Sequence, residues 1–133
     1  MSDNVMQVEL VAADRLVWSG EATSVLARTT EGDVGILPGH APMLALMRDG
    51  VVDVTTENGE SWVAAVDAGF LSVAKNLISI LSEHAQMSHD IDLEKARADL
   101  ERCRAEGASD DDAAVQAQEA WAQARVRAAE RAS

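Results

Sequence analysis

The sequence is poor in residues that form covalent crosslinks, large aromatic clusters or nucleic-acid contacts. Its 133 residues include one cysteine, two prolines, one phenylalanine and no tyrosine, and its formal net charge is −12. A single cysteine excludes an intramolecular disulfide and favours a reducing compartment. Because so acidic a chain is repelled by nucleic acid and by anionic lipid, we expect no nucleic-acid partner.

No segment has the composition of a membrane anchor or a targeting leader. The amino terminus, Met1-Ser2-Asp3-Asn4, lacks a basic stretch followed by an apolar run. No stretch approaches the roughly 20 apolar residues that a transmembrane helix needs. These absences predict a soluble, cytoplasmic protein that reaches a membrane only through a partner.

Up to Met87, short apolar runs alternate with turn residues. Met6, Val8 and Leu10 alternate with polar positions, which predicts a strand with one buried face. Asn58-Gly59 and Lys75-Asn76 each separate two such runs and predict β-hairpins. Further strands are predicted at 16–18, 22–28, 34–37, 51–56, 61–66, 70–73 and 77–81. Since no connection is long enough for a helical crossover, we expect an antiparallel β-sandwich or barrel.

From Ile91 the apolar residues follow a helical period. Leu93, Ala96, Leu100 and Cys103 share one face and predict a helix over about 91–106, which ends at Gly107. Cys103 is interpreted as a small core residue of that helix. A second helix is predicted over about 110–131, with Ser109 as its N-cap and Asp110–Asp112 in its first turn. Its apolar stripe is Ala113, Ala117, Ala120, Trp121, Ala124 and Ala128.

The predicted fold is therefore α+β, with two domains. An N-terminal antiparallel β-sandwich covers 1–87, and a C-terminal antiparallel hairpin of two helices covers 88–133. Alanine buries little surface, at about 25 cal/mol per Å2 of apolar area, so the hairpin is expected to be weakly held and easily displaced.

The sequence does not assemble a catalytic or metal site. His84 and His89 are five residues apart and do not share a helix face, and no cysteine or carboxylate completes a metal-ligand spacing around them or His40. Asp90 and Asp92 suit a helix N-terminus without any catalytic role. No glycine-rich phosphate loop or nucleophile elbow is present. We expect a protein that binds partners and is not itself an enzyme.

One segment, 32–43, contains three glycines and both prolines of the chain. Glycine permits positive φ and proline fixes its own φ, which predicts a rigid, sharply turned loop. The loop is either a corner between strands or, with Met43, Leu44 and Met47, an apolar docking surface. The residues alone leave both interpretations open.

The same segment carries a resemblance to a known family. Gly35-Ile-Leu-Pro-Gly-His-Ala-Pro-Met43 resembles the signature of the ε subunits of F-type ATP synthases, the bacterial relatives of the mitochondrial δ subunit. Similar motifs follow in the family's order at 17–21, 67–73, 76–83 and 91–96, although Ala68 replaces a usual glycine.

The resemblance implies a non-catalytic subunit of the rotor. Its β-domain would bind the γ subunit and the membrane c-ring, and its helices would fold on the sandwich or extend toward the α and β subunits and inhibit ATP hydrolysis. Such a protein would lie at the cytoplasmic face of the bacterial cell membrane. The alternatives are a free-standing nucleotide-binding module and a small hydrolase.

The resemblance also assigns residues. Glu31, Gly32 and Asp33 would face the c-ring, and His40 would shape the signature loop or contact the rotor. The regulatory helix contacts would be Arg125, Arg127 and Arg131, whose alternative role is as solvated charges that match the helix dipole.

Some members of the family bind regulatory ATP through a motif similar to Ile/Leu-Asp-x-x-Arg-Ala. Ile91, Asp92 and Ala96 match it, but Lys95 replaces the arginine and lacks its planar fork. The candidate ATP ligands are Asp92, Lys95 and Arg125. The expectation is that no cofactor is required.

Overall fold

The computed structural model describes residues 5–107 and 113–132, which form ten strands, one 3-10 turn and two α-helices. The strands are β1 (Met6–Ala12), β2 (Arg15–Ala22), β3 (Ser24–Thr29), β4 (Gly32–Ile36), β5 (Met43–Met47), β6 (Gly50–Thr55), β7 (Ser61–Val66), β8 (Gly69–Ala74), β9 (Leu77–Ser82) and β10 (Ala85–Met87). The 3-10 turn covers Ser88–Asp90, and the helices are α1 (Leu93–Gly107) and α2 (Ala113–Ala132). The predicted α+β fold of a sandwich followed by a helical hairpin is confirmed.

The strands form one sheet that folds over into two layers. One layer has the order β10-β7-β6-β3, with β4 on the other edge of β3, and the second has the order β5-β8-β9-β1-β2. A single residue pair, Thr29 with Met47, joins β3 to β5 at the fold. Alternate residues of both layers point inward because a strand places successive side chains on opposite faces. Among the fully buried ones are Val8, Ile36 and Leu71.

The expectation of antiparallel pairing throughout is wrong at one place. β1 pairs in parallel with β9, from Gln7 with Leu77 to Val11 with Leu81. A helical crossover is needed only when parallel strands follow each other closely along the chain. Here the connection between β1 and β9 is the rest of the sandwich, so the argument from loop length did not apply.

Two of the ten strands were not predicted from the sequence, whereas both predicted hairpins are confirmed. β5 and β10 were not predicted. Lys75 and Asn76 form a two-residue connection and both have the positive φ that such a hairpin turn requires. Gly59, with a φ of +83°, lies in the longer β6–β7 connection at 56–60.

The two helices cover one face of the first layer. α2 packs on β6 and β7, and α1 packs on α2. β7 is consequently buried on both faces, with Ala64 and Val66 in the sandwich core and Val63 and Ala65 beneath α2.

The helices begin and end close to the predicted positions. α1 starts at Leu93, two residues after the predicted start, and the predicted domain boundary after Met87 falls at the 3-10 turn. Cys103 is buried, as expected for a core residue. Met1–Asn4, Ser109 and Asp110–Asp112, on which the leader and cap predictions rest, lie outside the described residues. Within the described ranges, neither helix combines the length and apolar character needed to cross a membrane.

Candidate partner-binding surfaces

The turn between β3 and β4 presents two of the predicted contact residues as exposed carboxylates. Glu31, Gly32 and Asp33 are all exposed. The Thr29 hydroxyl donates to the Gly32 carbonyl at 2.7 Å and accepts the Glu31 N–H at 3.1 Å. Gly32 has a φ of +117°, a conformation that side chains disfavour. The backbone of this turn is therefore fixed, and it holds Glu31 and Asp33 at one end of the sandwich.

His40 lies in a second, separately fixed loop. Its N–H donates to the Leu37 carbonyl at 3.1 Å, and its Nδ1 lies 2.7 Å from the Ala41 carbonyl. The Gly39 N–H donates to Asn76 Oδ1 at 2.7 Å, which ties the loop to the β8–β9 turn. A sharp turn is therefore present at 37–42, and the hydrogen bonds of His40 are local to it, whereas 32–36 of the predicted loop form β4.

The two loops lie at opposite ends of β4 and β5. Gly32 and Ile36 are the two ends of β4, roughly 13 Å apart for an extended strand. The first loop lies near Met47, since the Thr30 N–H donates to the Leu46 carbonyl, whereas the second lies at the Met43 end of β5. The structure therefore places Glu31, Gly32 and Asp33 at the opposite end of these two strands from the loop of His40.

The outer face of the second layer carries an apolar row that sequence reasoning missed. Cross-strand pairing aligns five residues across it in the order Leu46, Phe70, Leu81, Val11 and Leu16. Four of them are large hydrophobic side chains that are 48–57% exposed. Contiguous exposed apolar surface marks an interaction site in a water-soluble fold. We refer to these five residues as the apolar row.

The predicted docking residues Met43, Leu44 and Met47 divide between two environments. Leu44 is 73% exposed on the same outer face, but Met47 is buried in the core, so the prediction is wrong for Met47. Leu46 takes its place on the surface. Because Met43, Leu44, Leu46 and Met47 are all apolar, no alternation in the sequence marks which of them face outward.

α2 has two buried faces rather than the single predicted stripe. Ala124 and Ala128 pack on the sheet against Val63 and Ala65. A second face, with Ala122 and Val126, packs against α1. Ala113 and Ala117, which were predicted to be buried, are exposed. Because two faces need two stripes offset around the helix, a single period could not describe both.

Two of the three predicted regulatory arginines hold the hairpin on the sandwich. Arg125 donates from Nε to Gln86 Oε1 at 3.0 Å and from Nη1 to Asp99 Oδ2 at 3.2 Å, and its side chain is only 15% exposed. Arg131 Nε lies 2.9 Å from Asp53 Oδ2 on β6. Arg127 is exposed and lines a groove beside Arg28. Arg125 therefore joins α2 to β10 and α1, and the alternative of a solvated charge does not hold for it.

The three candidate ATP ligands have separate roles in this conformation. Asp92 Oδ1 accepts the Lys95 N–H at 3.2 Å and so caps α1. Lys95 is exposed. Arg125 is committed to Gln86 and Asp99, and among the described residues no hydrogen bond or ion pair links it to Asp92 or Lys95.

Histidine and tryptophan meet at two places. His84 Nδ1 lies 2.7 Å from Asp67 Oδ2, and its ring is 5.8 Å from that of Trp121 on α2. His89 lies edge-on to Trp62 of β7, with ring centres 6.0 Å apart. Nearby, burial raises the pKa of the Asp49 carboxyl, and the charge of Asp67 raises it further. No group of three or more potential metal ligands occurs in the part of the chain described.

The chain is similar to proteins of one kind. Residues 5–88 match the family model of the ATP synthase Delta/Epsilon chain beta-sandwich domain. The ATP synthase epsilon chain of Rhodococcus opacus (strain B4) is 51% identical over 128 residues, which are 96% of this chain and 98% of that protein. That of Streptomyces avermitilis is 54% identical over 102 residues, which are 77% of this chain and 82% of the relative.

Solved structures give the same similarity. A chain of the Euglena gracilis mitochondrial ATP synthase, from a structure of OSCP, F1 and c-ring, superposes with a TM-score of 0.78 at 26% identity and covers 97% of this chain and 81% of its own length. A chain of the central stalk and c-ring of the Tetrahymena thermophila enzyme has a TM-score of 0.57 at 18% identity, over 96% of this chain and 95% of its own, and is similar in fold alone.

Proposed function

The chain belongs to the delta/epsilon family of ATP synthase, and we propose that it couples c-ring rotation to ATP synthesis and restrains ATP hydrolysis through its C-terminal helices. It is an accessory, non-catalytic subunit and a component of the central stalk. The proposal assigns the sandwich to assembly of the rotor and the hairpin to regulation.

The apolar row is the observation that carries the assembly role. Leu46, Phe70, Leu81 and Leu16 expose about half of their side-chain surface in this chain alone. A partner that covers them gains the free energy of burying apolar area, roughly 25 cal/mol per Å2. We assign the γ subunit to this face, because a permanent rotor contact needs an apolar interface core.

The turn at Glu31–Asp33 suits a different kind of contact. Its carboxylates lie at one end of the sandwich, on a backbone fixed by Thr29. We assign this end to the polar loops of the c-ring, where exposed ion pairs set orientation and contribute only about 0–1 kcal/mol each. The synthase then holds the chain at the cytoplasmic face of the membrane.

The hairpin is held on the sheet weakly enough to leave its docked position. Its contact with the sheet consists mainly of alanine, together with Trp121 and the pairs of Arg125 and Arg131. Displacement would free both arginines for acidic surfaces of the α and β subunits, where they would oppose rotation in the hydrolysis direction. The same residues thus stabilise the docked state and act in the extended one.

Charge placed in the apolar row tests the assembly role. Leu46→Glu and Phe70→Glu should each weaken co-purification with γ, because a buried unpaired charge costs about 2 kcal/mol or more, roughly thirtyfold in affinity. The matched control is Leu26→Glu, at an exposed leucine of the other layer. Undiminished recovery of γ with both row variants, or recovery of the wild-type chain only as a lone monomer, would overturn the proposal.

We also propose that the subunit works without a bound nucleotide or other cofactor. Asp92 caps α1 and Arg125 is already paired, so neither is free for phosphate in the docked conformation. Isothermal titration of the purified chain should give no binding heat at millimolar ATP. Saturable heat that Arg125→Ala abolishes would show a regulatory site instead.

A further inference from the structure

The side chain of His84 lies where the sandwich meets the hairpin. His84 follows β9 and is fixed by Asp67, whose Oδ1 accepts the His84 N–H at 2.8 Å and whose Oδ2 lies 2.7 Å from Nδ1. The other contact of the imidazole is with Trp121 of α2, at 5.8 Å between ring centres and 35° between planes. A group held by the sandwich therefore touches the bulkiest side chain that α2 offers to it.

We propose that Asp67, His84 and Trp121 form a latch that holds α2 on the sandwich more tightly when His84 carries a proton. The inference concerns docking of the hairpin within the chain itself, so it stands independently of the proposed function in the rotor.

The proton changes the contact between His84 and Trp121. An imidazolium near an indole ring is attracted by the ring's quadrupole, an attraction that neutral imidazole lacks. Its bond to Asp67 also becomes charge-assisted. The side chain of His84 stays 63% exposed, so docking removes little of the hydration of the charged form.

The surroundings of His84 are mainly acidic. Besides Asp67, the charged groups that share its two surface cavities come from the β1–β2 turn, the start of β2, the β5–β6 turn, the β9–β10 turn and the 3-10 turn, and are Asp14, Arg15, Asp49, Glu83 and Asp90. From α2 the neighbours are Ala117, Gln118 and Trp121, none of which is charged. Burial raises the pKa of the Asp49 carboxyl, and the charge of Asp67 raises it further. A proton on His84 therefore adds positive charge to a mainly acidic surface.

His89 provides a natural comparison within the same chain. Its ring contacts Trp62, which belongs to the sandwich, and its Nε2 lies 3.6 Å from Asp90 Oδ2. Protonation of His89 therefore changes its contacts with Asp90 and with Trp62 of β7, on a turn that also packs against α2. Because the two side chains are of the same residue type, whose charge responds to pH, only the position separates their effects.

Hydrogen exchange of the full-length chain at pH 5.5 and pH 8.5 tests the latch. With rates corrected for intrinsic exchange, the α2 amides should be about two- to fivefold better protected at pH 5.5. His84→Gln should remove this pH dependence, and His84→Arg should give the low-pH protection at both pH values. His89→Gln should behave as the wild type.

A second measurement distinguishes loss of the contact between His84 and Trp121 from misfolding of a variant. When the chain is labelled with 5-fluorotryptophan, the ¹⁹F resonance that disappears in Trp121→Phe belongs to Trp121. The chemical shift of this resonance should change with pH in the wild type and should not change in His84→Gln. Protection of the β8 and β9 amides should match the wild type in every variant. Equal α2 protection at both pH values in the wild type, or a pH dependence that persists in folded His84→Gln, would overturn the latch.

Discussion

Gly69 occupies a position where any side chain would collide with the neighbouring strand. A Cβ there would overlap the carbonyl oxygen of Leu81 and come within 2.9 Å of the Ser82 Cα, both backbone atoms that cannot rotate away. Gly69→Ala should therefore separate the start of β8 from the end of β9 and lower the free energy of unfolding by about 3 kcal/mol. Urea denaturation of the purified chain measures this loss.

Gly35 is the matched control for that substitution. It also lies in a strand, but a Cβ there meets no atom within 4 Å. Gly35→Ala should change the free energy of unfolding by less than about 1 kcal/mol, since alanine reduces the entropy of the unfolded chain. Equal losses in the two variants would show that the close approach at Gly69 is not the cause.

Arg125 makes polar contacts that add to the packing of the α2 alanines on the sheet. Arg125→Ala removes bonds to Gln86 and Asp99, while Asp99 keeps Arg102 at 3.1 Å. We expect the hairpin to lose about 1–2 kcal/mol relative to the sandwich, roughly tenfold faster exchange of α2 amides. Arg127→Ala, at an exposed arginine, should leave exchange near the wild-type rate, and a similar increase there would contradict the assignment.

At the scale of elements, α2 is a helix fitted closely to a sheet. Ala128 is fully buried against the first layer, with no room for a larger side chain unless α2 moves away. Ala128→Leu should weaken docking by about 1–3 kcal/mol and leave the sandwich stable. The rate of tryptic cleavage at the arginines of α2 measures this. Ala113→Leu, at an exposed position of the same helix, should cleave as the wild type does.

Some elements could be predicted from the sequence because their surroundings are simple. β1 alternates between the core and water, so Met6, Val8 and Leu10 stand out against polar neighbours. β5 has no such contrast, because its outward Leu44 and Leu46 are as apolar as its inward Met47. The alternation is missing because the outer face of β5 is apolar as well as exposed. This apolar outer face kept β5 from being predicted, and it is also what places Leu46 in the apolar row.

The candidate contacts divide in a similar way. Turn chemistry located the loops of Glu31–Asp33 and His40 correctly, since glycine and proline act locally. Their separation along β4, the partners of Arg125 and the contact of His84 with Trp121 depend on residues distant in sequence. Local patterns carry no information about such pairs.

At the scale of the whole molecule, the sandwich has a core of its own. The largest buried cluster ends at Met87 and contains no residue of either helix. A chain ending at Met87 should stay folded, exposing only the patch of Val63 and Ala65 beneath α2, and should still assemble into the synthase. Removal of the hairpin should raise ATP hydrolysis by the complex. Unchanged hydrolysis would exclude an inhibitory role for the helices, and an unfolded fragment would exclude an independent sandwich.

The parallel pair of β1 and β9 bears on how the chain is made. Gln7 and Leu77 are partners seventy positions apart, so a ribosome must complete most of the sandwich before β1 gains its second neighbour. Until then the edge of β1 that will pair with β9 has unpaired backbone groups, and these can bind a strand of another chain. Such long-range closure is slow, on the order of milliseconds to seconds. During synthesis, the time between emergence of β1 and of β9 is therefore when the nascent chain is most exposed to aggregation and most dependent on chaperones.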